Sequence, residues 1–183
     1  MERNVKAITV YAASSHEIDG IYVEAASDLG RLLAKHGITC IYGGGSNGLM
    51  GAVADAVLEA RGKVWGIIPQ FMVEKGWLND RLTEVTVTKN IHERKQMMAG
   101  EGDACIALPG GVGTMEELLE VITWRQLGLY NKPVVILNTN NFYADLLSML
   151  LKIKEENFMP HDIDPLWRVA QTPEEALHSI FYR

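Results

Sequence analysis

Short apolar runs rich in β-branched residues alternate along the chain with longer amphipathic stretches in which apolar positions recur at helical spacing. The short runs, which predict strands, cover residues 7–12, 39–42, 64–68, 84–88, 104–108 and 134–137. The longer stretches, which predict helices, cover residues 22–35, 49–61, 91–100, 115–127 and 143–156. A closing helix is predicted over Pro173–Phe181, with Thr172 as N-cap and Pro173 at the first helical position. This alternation predicts crossover units, and therefore a three-layer α/β/α architecture with a mostly parallel sheet.

The composition predicts one globular domain over residues 1–183, because no linker, charge block or internal repeat interrupts the chain. Hydrophobic residues make up 48% of the sequence, which is enough for a substantial core. No segment has the apolar length of a signal peptide or a bilayer span, so we expect a cytosolic protein without membrane contact. Cys40 and Cys105 lie in apolar strand-like runs and are expected to be free thiols.

Charge and histidine placement limit the possible partners. The formal net charge of −6 disfavours nonspecific nucleic-acid binding, which needs a basic surface, but it allows a small anion in a local pocket. We therefore expect a small-molecule partner and no nucleic acid. The histidines are scattered without ligand spacing, so no metal site is expected; they are His16, His36, His92, His161 and His178.

A first glycine-rich segment, GGGSNGLMG, follows the second predicted strand and leads into a helix. Glycines at such a turn let the backbone approach a ligand closely, so Gly44 and Gly45 are candidate substrate contacts. Gly43, Gly45 and Gly48 also match the G-x-G-x-x-G spacing of dinucleotide-binding folds, but residues 67–70 hold no carboxylate where that motif needs one. We therefore expect no nicotinamide or flavin cofactor, and tight strand–helix packing remains an alternative role for the turn.

A second glycine-rich segment, PGGVGTMEE, follows the fifth predicted strand, so both turns should meet at the carboxyl edge of a parallel sheet. Amides and a hydroxyl at a helix N-terminus match the acceptor oxygens of a phosphate, which assigns phosphate binding to Gly111, Gly113 and Thr114. Pro109 and Gly110, just before them, are further candidate substrate contacts. Neither glycine segment ends in the Gly-Lys-Ser/Thr of a P-loop, which disfavours ATP or GTP hydrolysis.

Two interpretations of Glu117 are open at this point. Thr114 and Glu117 have the spacing of a capping box, in which the carboxylate returns to the first amide of its own helix. The same carboxylate could instead act on a ligand held by the glycine turn. Glu116 and Glu120 are expected on the helix face, where their negative charges interact favourably with the positive end of the helix dipole.

The helix predicted after the strand TEVTVT carries a basic pair among apolar positions. Arg94 lies three residues from both Ile91 and Met97, so it can point along the edge of the buried stripe toward the ligand end of the sheet. Lys95 and Met98 are candidate substrate contacts beside it, although Met98 also falls on the predicted buried face. The alternative is an ordinary solvated basic helix.

Three segments in combination resemble one known family: GGGSNGLMG at 43–51, HERKQMM at 92–98 and PGGVGTMEE at 109–117. They are similar to the LONELY GUY family, the cytokinin riboside 5′-monophosphate phosphoribohydrolases, which were long misnamed as possible lysine decarboxylases. The resemblance covers nearly the whole chain and includes WRQLGLYNKP at 124–133.

The resemblance implies a Rossmann-like fold, a homodimer with active sites near the subunit interface, and cleavage of the base from a nucleoside monophosphate without a cofactor. It implies that Arg94 and Glu117 are the catalytic pair. The chain departs from the family at the turn after the first strand, where a Cys-Gly-Ser-Ser-like sequence is usual and residues 12–15 read Ala-Ala-Ser-Ser. Ser14 remains a candidate substrate contact, with a plain serine turn as the alternative.

The chemistry implied by the family suits these two side chains. Glycosidic cleavage builds positive charge on the anomeric carbon and ring oxygen, which a fixed carboxylate such as Glu117 stabilises while it helps to activate water. Arg94 stays protonated, so we expect it to position Glu117 or the nucleotide. The expected substrate is an adenine-type nucleoside 5′-monophosphate, either a cytokinin riboside monophosphate or AMP itself, as in an AMP nucleosidase.

Two other functions are alternatives to nucleotide hydrolysis for a sheet of this type. A noncatalytic nucleotide-binding or carrier module is the alternative from another class, because sheets of this type often bind without reacting. A lysine decarboxylase would need pyridoxal phosphate held by a dedicated lysine, and the sequence offers no convincing site for it.

Overall fold

Seven parallel strands form the central sheet in the residues that the computed structural model describes, which are 4–159 and 165–182. The strands are β1 (Ala7–Tyr11), β2 (Thr39–Tyr42), β3 (Val64–Pro69), β4 (Glu84–Thr88), β5 (Ala104–Ala107), β6 (Val134–Leu137) and β7 (Arg168–Ala170). Their order across the sheet is β4-β3-β2-β1-β5-β6-β7. The chain moves outward from β1 to β4 and then crosses back to β5. The strand order therefore reverses between β1 and β5, which is where open parallel sheets bind ligands.

Helices cover both faces of the sheet. They are α1 (Gly20–Lys35), α2 (Gly48–Glu59), α3 (Gln70–Glu74), α4 (Ile91–Glu101), α5 (Val112–Gln126), α6 (Ala144–Glu155) and α7 (Pro173–Phe181), with a 3₁₀ turn at Thr139–Asn141. Buried side chains of α1, α2 and α7 form one core cluster with one face of the sheet. Those of α4 and α5, with side chains at the start of α6, form a second cluster on the other face. The predicted three-layer α/β/α fold is confirmed, and every pairing between neighbouring strands is parallel.

The inner strands are apolar throughout because both of their faces are covered. Successive residues of β5 alternate between the two clusters, so Ile106 packs on one side and Cys105 on the other. Cys40 belongs to the cluster opposite Cys105, and both thiols are free and buried. Burial raises the pKa of each thiol to about 12, which makes them unreactive hydrophobic residues. The prediction of free thiols is confirmed.

Three short elements were not predicted from the pattern: α3, the 3₁₀ turn and β7. Each spans five residues or fewer, which is too short for a helical or alternating period to stand out. Two helices also begin two or more residues earlier than predicted. α1 starts at Gly20, where the Asp19 side chain accepts from the amide of Ile21, and α5 starts at Val112 inside the second glycine segment.

Two further observations concern membranes and metals. Across residues 4–159 and 165–182, no helix is both long and apolar enough to cross a bilayer. Within the same residues, no group of three or more histidine, cysteine or acidic side chains is arranged to hold a metal ion. His161 lies outside the described residues.

Candidate active site

An open cavity of about 590 Å³ lies at the carboxyl edge of the sheet, across the ends of β5, β1, β2 and β3. Its walls come from residues 12–16 after β1, the first glycine segment after β2, the end of β3 with the segment after it, Arg94 of α4, and the N-terminus of α5. This volume is in the range of small-molecule sites. The cavity also includes the point where the strand order reverses, as expected for this architecture.

The N-terminus of α5 opens into this cavity without a side-chain cap. The helix begins at Val112 with Gly111 as its N-cap, and no side chain accepts a hydrogen bond there. Gly111 and Gly113 are exposed, and no atom lies within 4 Å of the position that a Cβ would take on either one. The free amides and the positive end of the helix dipole therefore favour an anion at this point. Three helices are closed by side-chain caps, from Asp19 on α1, Asn90 on α4 and Thr172 on α7, whereas α2, α3 and α6 lack one as α5 does.

The observed start of α5 contradicts the capping-box interpretation of Glu117. In a capping box the returning carboxylate stands at the third helical position, which in α5 is Thr114 itself. Thr114 is buried against Gly110, and a Cβ on Gly110 would lie 2.2 Å from Thr114 Oγ1. Glu117 lies further along α5 and lines the cavity, so it does not cap the N-terminus of this helix.

Arg94 and Glu117 form a largely buried ion pair on that wall. Nη1 of Arg94 lies 3.6 Å from Oε1 of Glu117, and the two side chains are only 11% and 12% exposed. Nε of Arg94 also donates to the carbonyl oxygen of Ile67 at 3.1 Å, which holds the guanidinium against the end of β3. The solvated-helix alternative is therefore wrong for Arg94.

Burial raises the pKa of Glu117 to about 7, although the nearby charge of Arg94 lowers this pKa and so limits the rise. Desolvation disfavours the charged carboxylate, whereas a cation at this distance favours it. The result is a carboxyl group that exchanges its proton near neutral pH. Acid–base groups in active sites have this property.

Lys95 takes part in a separate ion-pair cluster between α4 and α5. Its ammonium donates to the carboxylates of Glu116 and, at 3.2 Å, of Glu120. The hydrogen bond to Glu116 raises the pKa of Lys95, despite an opposing effect of burial. The two helices are thus joined by adjacent charge pairs, which fixes the position of α4 relative to α5.

The first glycine segment is packed more tightly than the second. Gly48, with φ of +59°, lies so close to the loop after β1 that a Cβ would be 2.4 Å from the carbonyl oxygen of Ser15. The amide of Met50, in the first turn of α2, already donates to the carbonyl oxygen of Ala13 at 3.1 Å. Anion-binding capacity is therefore greater at α5 than at α2. This agrees with the assignment of the phosphate to the second segment.

The structure brings most of the predicted site residues to one cavity. Those that line it are Ser14, Gly45, Arg94, Gly111, Gly113, Thr114 and Glu117. The remaining candidates are not among the described residues that line it; they are Gly44, Lys95, Met98, Pro109 and Gly110.

These five residues lie outside the cavity lining for different physical reasons. Gly44 has φ of +80° and packs on Ile68, so it serves the turn. Met98 is 1% exposed in the core. Pro109 and Gly110 are buried beneath the exposed part of their loop, and Lys95 is bound by Glu116.

Sequence reasoning missed the apolar end of the cavity, at the ends of β2 and β3. Met50, Ile68, Met72 and Trp77 line it, and Trp77 is 46% exposed. The Trp77 segment is fixed by an antiparallel bridge between Gly45 and Leu78. An available signal was the cluster of large apolar residues in a connection that follows a strand, where apolar residues are otherwise unexpected.

Comparisons with known proteins show which proteins this chain is similar to. A protein-family model described as "Possible lysine decarboxylase" matches residues 50–180. The cytokinin riboside 5′-monophosphate phosphoribohydrolase LOG3 of Arabidopsis thaliana is 46% identical over 173 residues, covering 94% of this chain and 80% of the relative. The probable cytokinin riboside 5′-monophosphate phosphoribohydrolase LOGL2 of Oryza sativa subsp. japonica is 41% identical over 180 residues, covering 98% of this chain and 74% of the relative.

Among solved structures, the molybdenum cofactor carrier protein of Chlamydomonas reinhardtii superposes with a TM-score of 0.74. The superposition covers 97% of this chain and 96% of that chain at 21% sequence identity. A likeness at this level of identity shows a shared fold and carries no information about the ligand.

Proposed function

The chain belongs to the LONELY GUY family, whose family model is described as possible lysine decarboxylase, and from this membership we propose how its cavity works. The protein is a hydrolase that cleaves the N-glycosidic bond of a nucleoside 5′-monophosphate and releases the free base and ribose 5-phosphate. The observation that carries the proposal is the buried carboxyl of Glu117, with a pKa of about 7, beside an uncapped helix N-terminus. The described residues that line the cavity include no lysine, so they offer no amine for a pyridoxal Schiff base.

The 5′-phosphate binds at the start of α5 in this proposal. The exposed amides of Gly111 and Gly113 and the hydroxyl of Thr114 supply the donors, and the helix dipole adds a favourable field. The phosphate is remote from the bond that breaks. Its binding energy therefore holds the ribose in position for attack, and nucleosides without the phosphate react poorly.

Glu117 acts on the ribose as a carboxylate. Positive charge develops at C1′ and the ring oxygen as the base departs, and the ionised carboxylate stabilises that charge and accepts a proton from the attacking water. Arg94 remains protonated, favours the ionised form of Glu117 and holds it in place, since it contacts both Glu117 and the Ile67 carbonyl.

The base lies toward the apolar end of the cavity. Three strand spacings of about 4.8 Å separate β5 from β3, so the end of the cavity at Met72 and Trp77 lies roughly 14 Å across the sheet from the start of α5. This apolar wall suits an adenine ring and would gain further contact from an apolar N6 substituent. We therefore propose an N6-alkylated adenine nucleotide as the preferred substrate, with AMP as a poorer one.

Chromatography of the reaction products tests the proposal. Purified protein is incubated separately with AMP, N6-isopentenyladenosine 5′-monophosphate and the corresponding nucleosides, and free base and ribose 5-phosphate are measured. Release of base from the monophosphates, and little from the nucleosides, is the expected result. A protein that binds the monophosphates without releasing base would instead be the noncatalytic nucleotide-binding or carrier module.

A homodimer with its active sites near the subunit interface is part of the same proposal. Exposed apolar side chains on α5 and just beyond it support it: Val112 is 84% exposed, Leu127 is 65% exposed and Leu129 is 73% exposed. Side chains of this kind are concentrated at interfaces. Sedimentation analysis of the purified protein would give the mass of a dimer. The cytosolic location stays a prediction from the sequence.

A further inference from the structure

Gly43 stands where the first glycine segment meets the catalytic pair. It directly follows β2 and lines the cavity. A Cβ at this residue would lie 2.0 Å from Nη2 of Arg94 and 3.2 Å from its Cζ, which is far inside van der Waals contact. The space that a side chain would fill is therefore taken by the guanidinium of Arg94.

The need for glycine at this position is one of space and not of backbone conformation. Gly44 and Gly48 have positive φ values of +80° and +59°, which other residues rarely adopt, whereas Gly43 is not among the glycines with positive φ. The other close atom is the Cε of Met50, at 2.8 Å. Both obstructing groups are ends of flexible side chains, so an alanine would displace them without breaking the turn.

Arg94 is thus held from three directions. Nε donates to the Ile67 carbonyl, Nη1 faces Glu117, and Nη2 lies over Gly43. A methyl group at residue 43 would push Nη2 away, and the planar guanidinium would then turn as one rigid group. Nη1 would leave its position near Glu117 as a result.

We propose that Gly43 is a positioning residue, whose missing side chain lets the Arg94 guanidinium lie between the Ile67 carbonyl and Glu117. The inference rests on the proposed function, because it gives Gly43 a role in glycosidic cleavage through Arg94 and not through contact with the nucleotide. This role also gives the glycine segment that follows β2 a part in the reaction, although the phosphate of the substrate binds at α5 in the proposed function.

A mutant cycle with Gly43→Ala and Arg94→Gln tests the proposal by kinetics. Gly43→Ala should lower kcat for nucleotide hydrolysis on the order of a hundredfold, the effect of a misplaced catalytic group, and should move the acid limb of the pH profile upward. In the Arg94→Gln background, the same alanine should change kcat less than threefold, because the guanidinium is already absent. An equal loss in both backgrounds would overturn the proposal and would indicate that Gly43 contacts the nucleotide.

A second readout does not depend on activity. Urea denaturation should show that Gly43→Ala lowers the unfolding midpoint in the otherwise unchanged protein, but much less in the Arg94→Gln background, where only the flexible end of Met50 still has to move. If the protein did not hydrolyse nucleotides at all, this coupling would still be measured, so failure of the function is distinguishable from failure of the inference. Equal midpoint shifts in the two backgrounds would contradict the proposed packing.

Gly100→Ala is the matched control. Gly100 lies on α4, the same helix as Arg94, and no atom lies within 4 Å of the position of its Cβ. This alanine should leave kcat and the pH profile unchanged, since it adds a methyl group only to an exposed helix surface.

Discussion

The ionisation of Glu117 should control how the reaction depends on pH, and Arg94 should set the pH at which activity appears. The perturbation is Arg94→Gln, which removes the positive charge and keeps a polar side chain. The pKa of Glu117 is about 7 with Arg94 present, and the positive charge of Arg94 lowers it. Removing that charge must therefore raise the pKa of Glu117. Since the reaction needs the carboxylate, activity should begin only at higher pH.

The size of this shift follows from the separation of the two charges. Nη1 and Oε1 are 3.6 Å apart, so their attraction at an effective dielectric constant of ~20 is at most about 4.6 kcal/mol. At about 1.36 kcal/mol per pKa unit, this upper limit corresponds to roughly 3 units. Opposite charges at such distances generally shift a pKa by about 1–3 units. We therefore expect the acid limb to move upward by about 1–3 pH units.

The assay is chromatographic release of base, with kcat/KM measured between about pH 5 and pH 10. The substrate phosphate also titrates, near pH 6, but it does so identically for both proteins, so the difference between their profiles isolates Glu117. Arg94→Lys is the control because it keeps a positive charge, and its limb should stay nearer to that of the unchanged protein. If the acid limbs of the kcat/KM profiles coincided for the unchanged protein and Arg94→Gln, the electrostatic role of Arg94 would be refuted.

Three further substitutions, one of them with a control substitution, have distinct expected outcomes. Glu117→Gln should lower kcat at least a hundredfold. It should also raise the free energy of unfolding, by up to about 3 kcal/mol at pH 8 but by less than about 1 kcal/mol at pH 5. The reason is that the raised pKa of Glu117 makes its ionisation costly in the folded state. Trp77→Ala should lower kcat/KM for the N6-isopentenyl nucleotide about tenfold and that for AMP less than threefold, because the N6 substituent makes apolar contact with Trp77 in addition to that of the adenine ring. Phe71→Ala, which removes another exposed aromatic side chain that contacts Lys75 but does not line the cavity, should change neither. Thr114→Val should raise KM for nucleotides about tenfold and leave the slow reaction of nucleosides unchanged, since only the phosphate uses the hydroxyl.

Each of these predictions can fail in a specific way. Turnover within tenfold of normal in Glu117→Gln would leave the hydrolysis without an acid–base group. Its unfolding at pH 5 and pH 8 gives the sign of the linkage: the folded-state pKa lies above the unfolded value, so the penalty appears as pH rises through the range from about 4.5 to 7. Equal losses for both substrates in Trp77→Ala would contradict an N6-substituent site. A KM effect of Thr114→Val on nucleosides would contradict the phosphate assignment.

Much of the fold could be predicted from the sequence because the parallel sheet is covered on both faces. The strands β2, β5 and β6 are short and mostly apolar runs, and long helices between strands, such as α1 and α2, bury one apolar side. β7 could not be found in this way because it has three residues and only Ala170 is buried. The start of α5 was misplaced because glycines predict loops, whereas here Gly113 lies inside the first helical turn.

The site was predictable where topology alone brings residues together. Turns that follow parallel strands meet at one edge, so the glycine segments and Arg94 could be placed near Glu117 without coordinates. The choice between the two interpretations of Glu117 required the first residue of α5, which the sequence leaves uncertain. The packing of Arg94 over Gly43 and the apolar wall at Trp77 depend on side-chain directions and on a loop between β3 and β4, for which sequence periodicity gives no information.

In the proposed mechanism, Glu117 acts at C1′ of a nucleotide whose phosphate lies at the start of α5. A crystal structure of Glu117→Gln with an intact nucleoside 5′-monophosphate tests it most directly, because the substitution slows cleavage during crystallisation. The phosphate is expected at the amides of Gly111 and Gly113, with the carboxamide of residue 117 roughly 3.5 Å from C1′ or from a water molecule aligned with it. A phosphate bound at the first glycine segment, or a C1′ beyond the reach of residue 117, would contradict it.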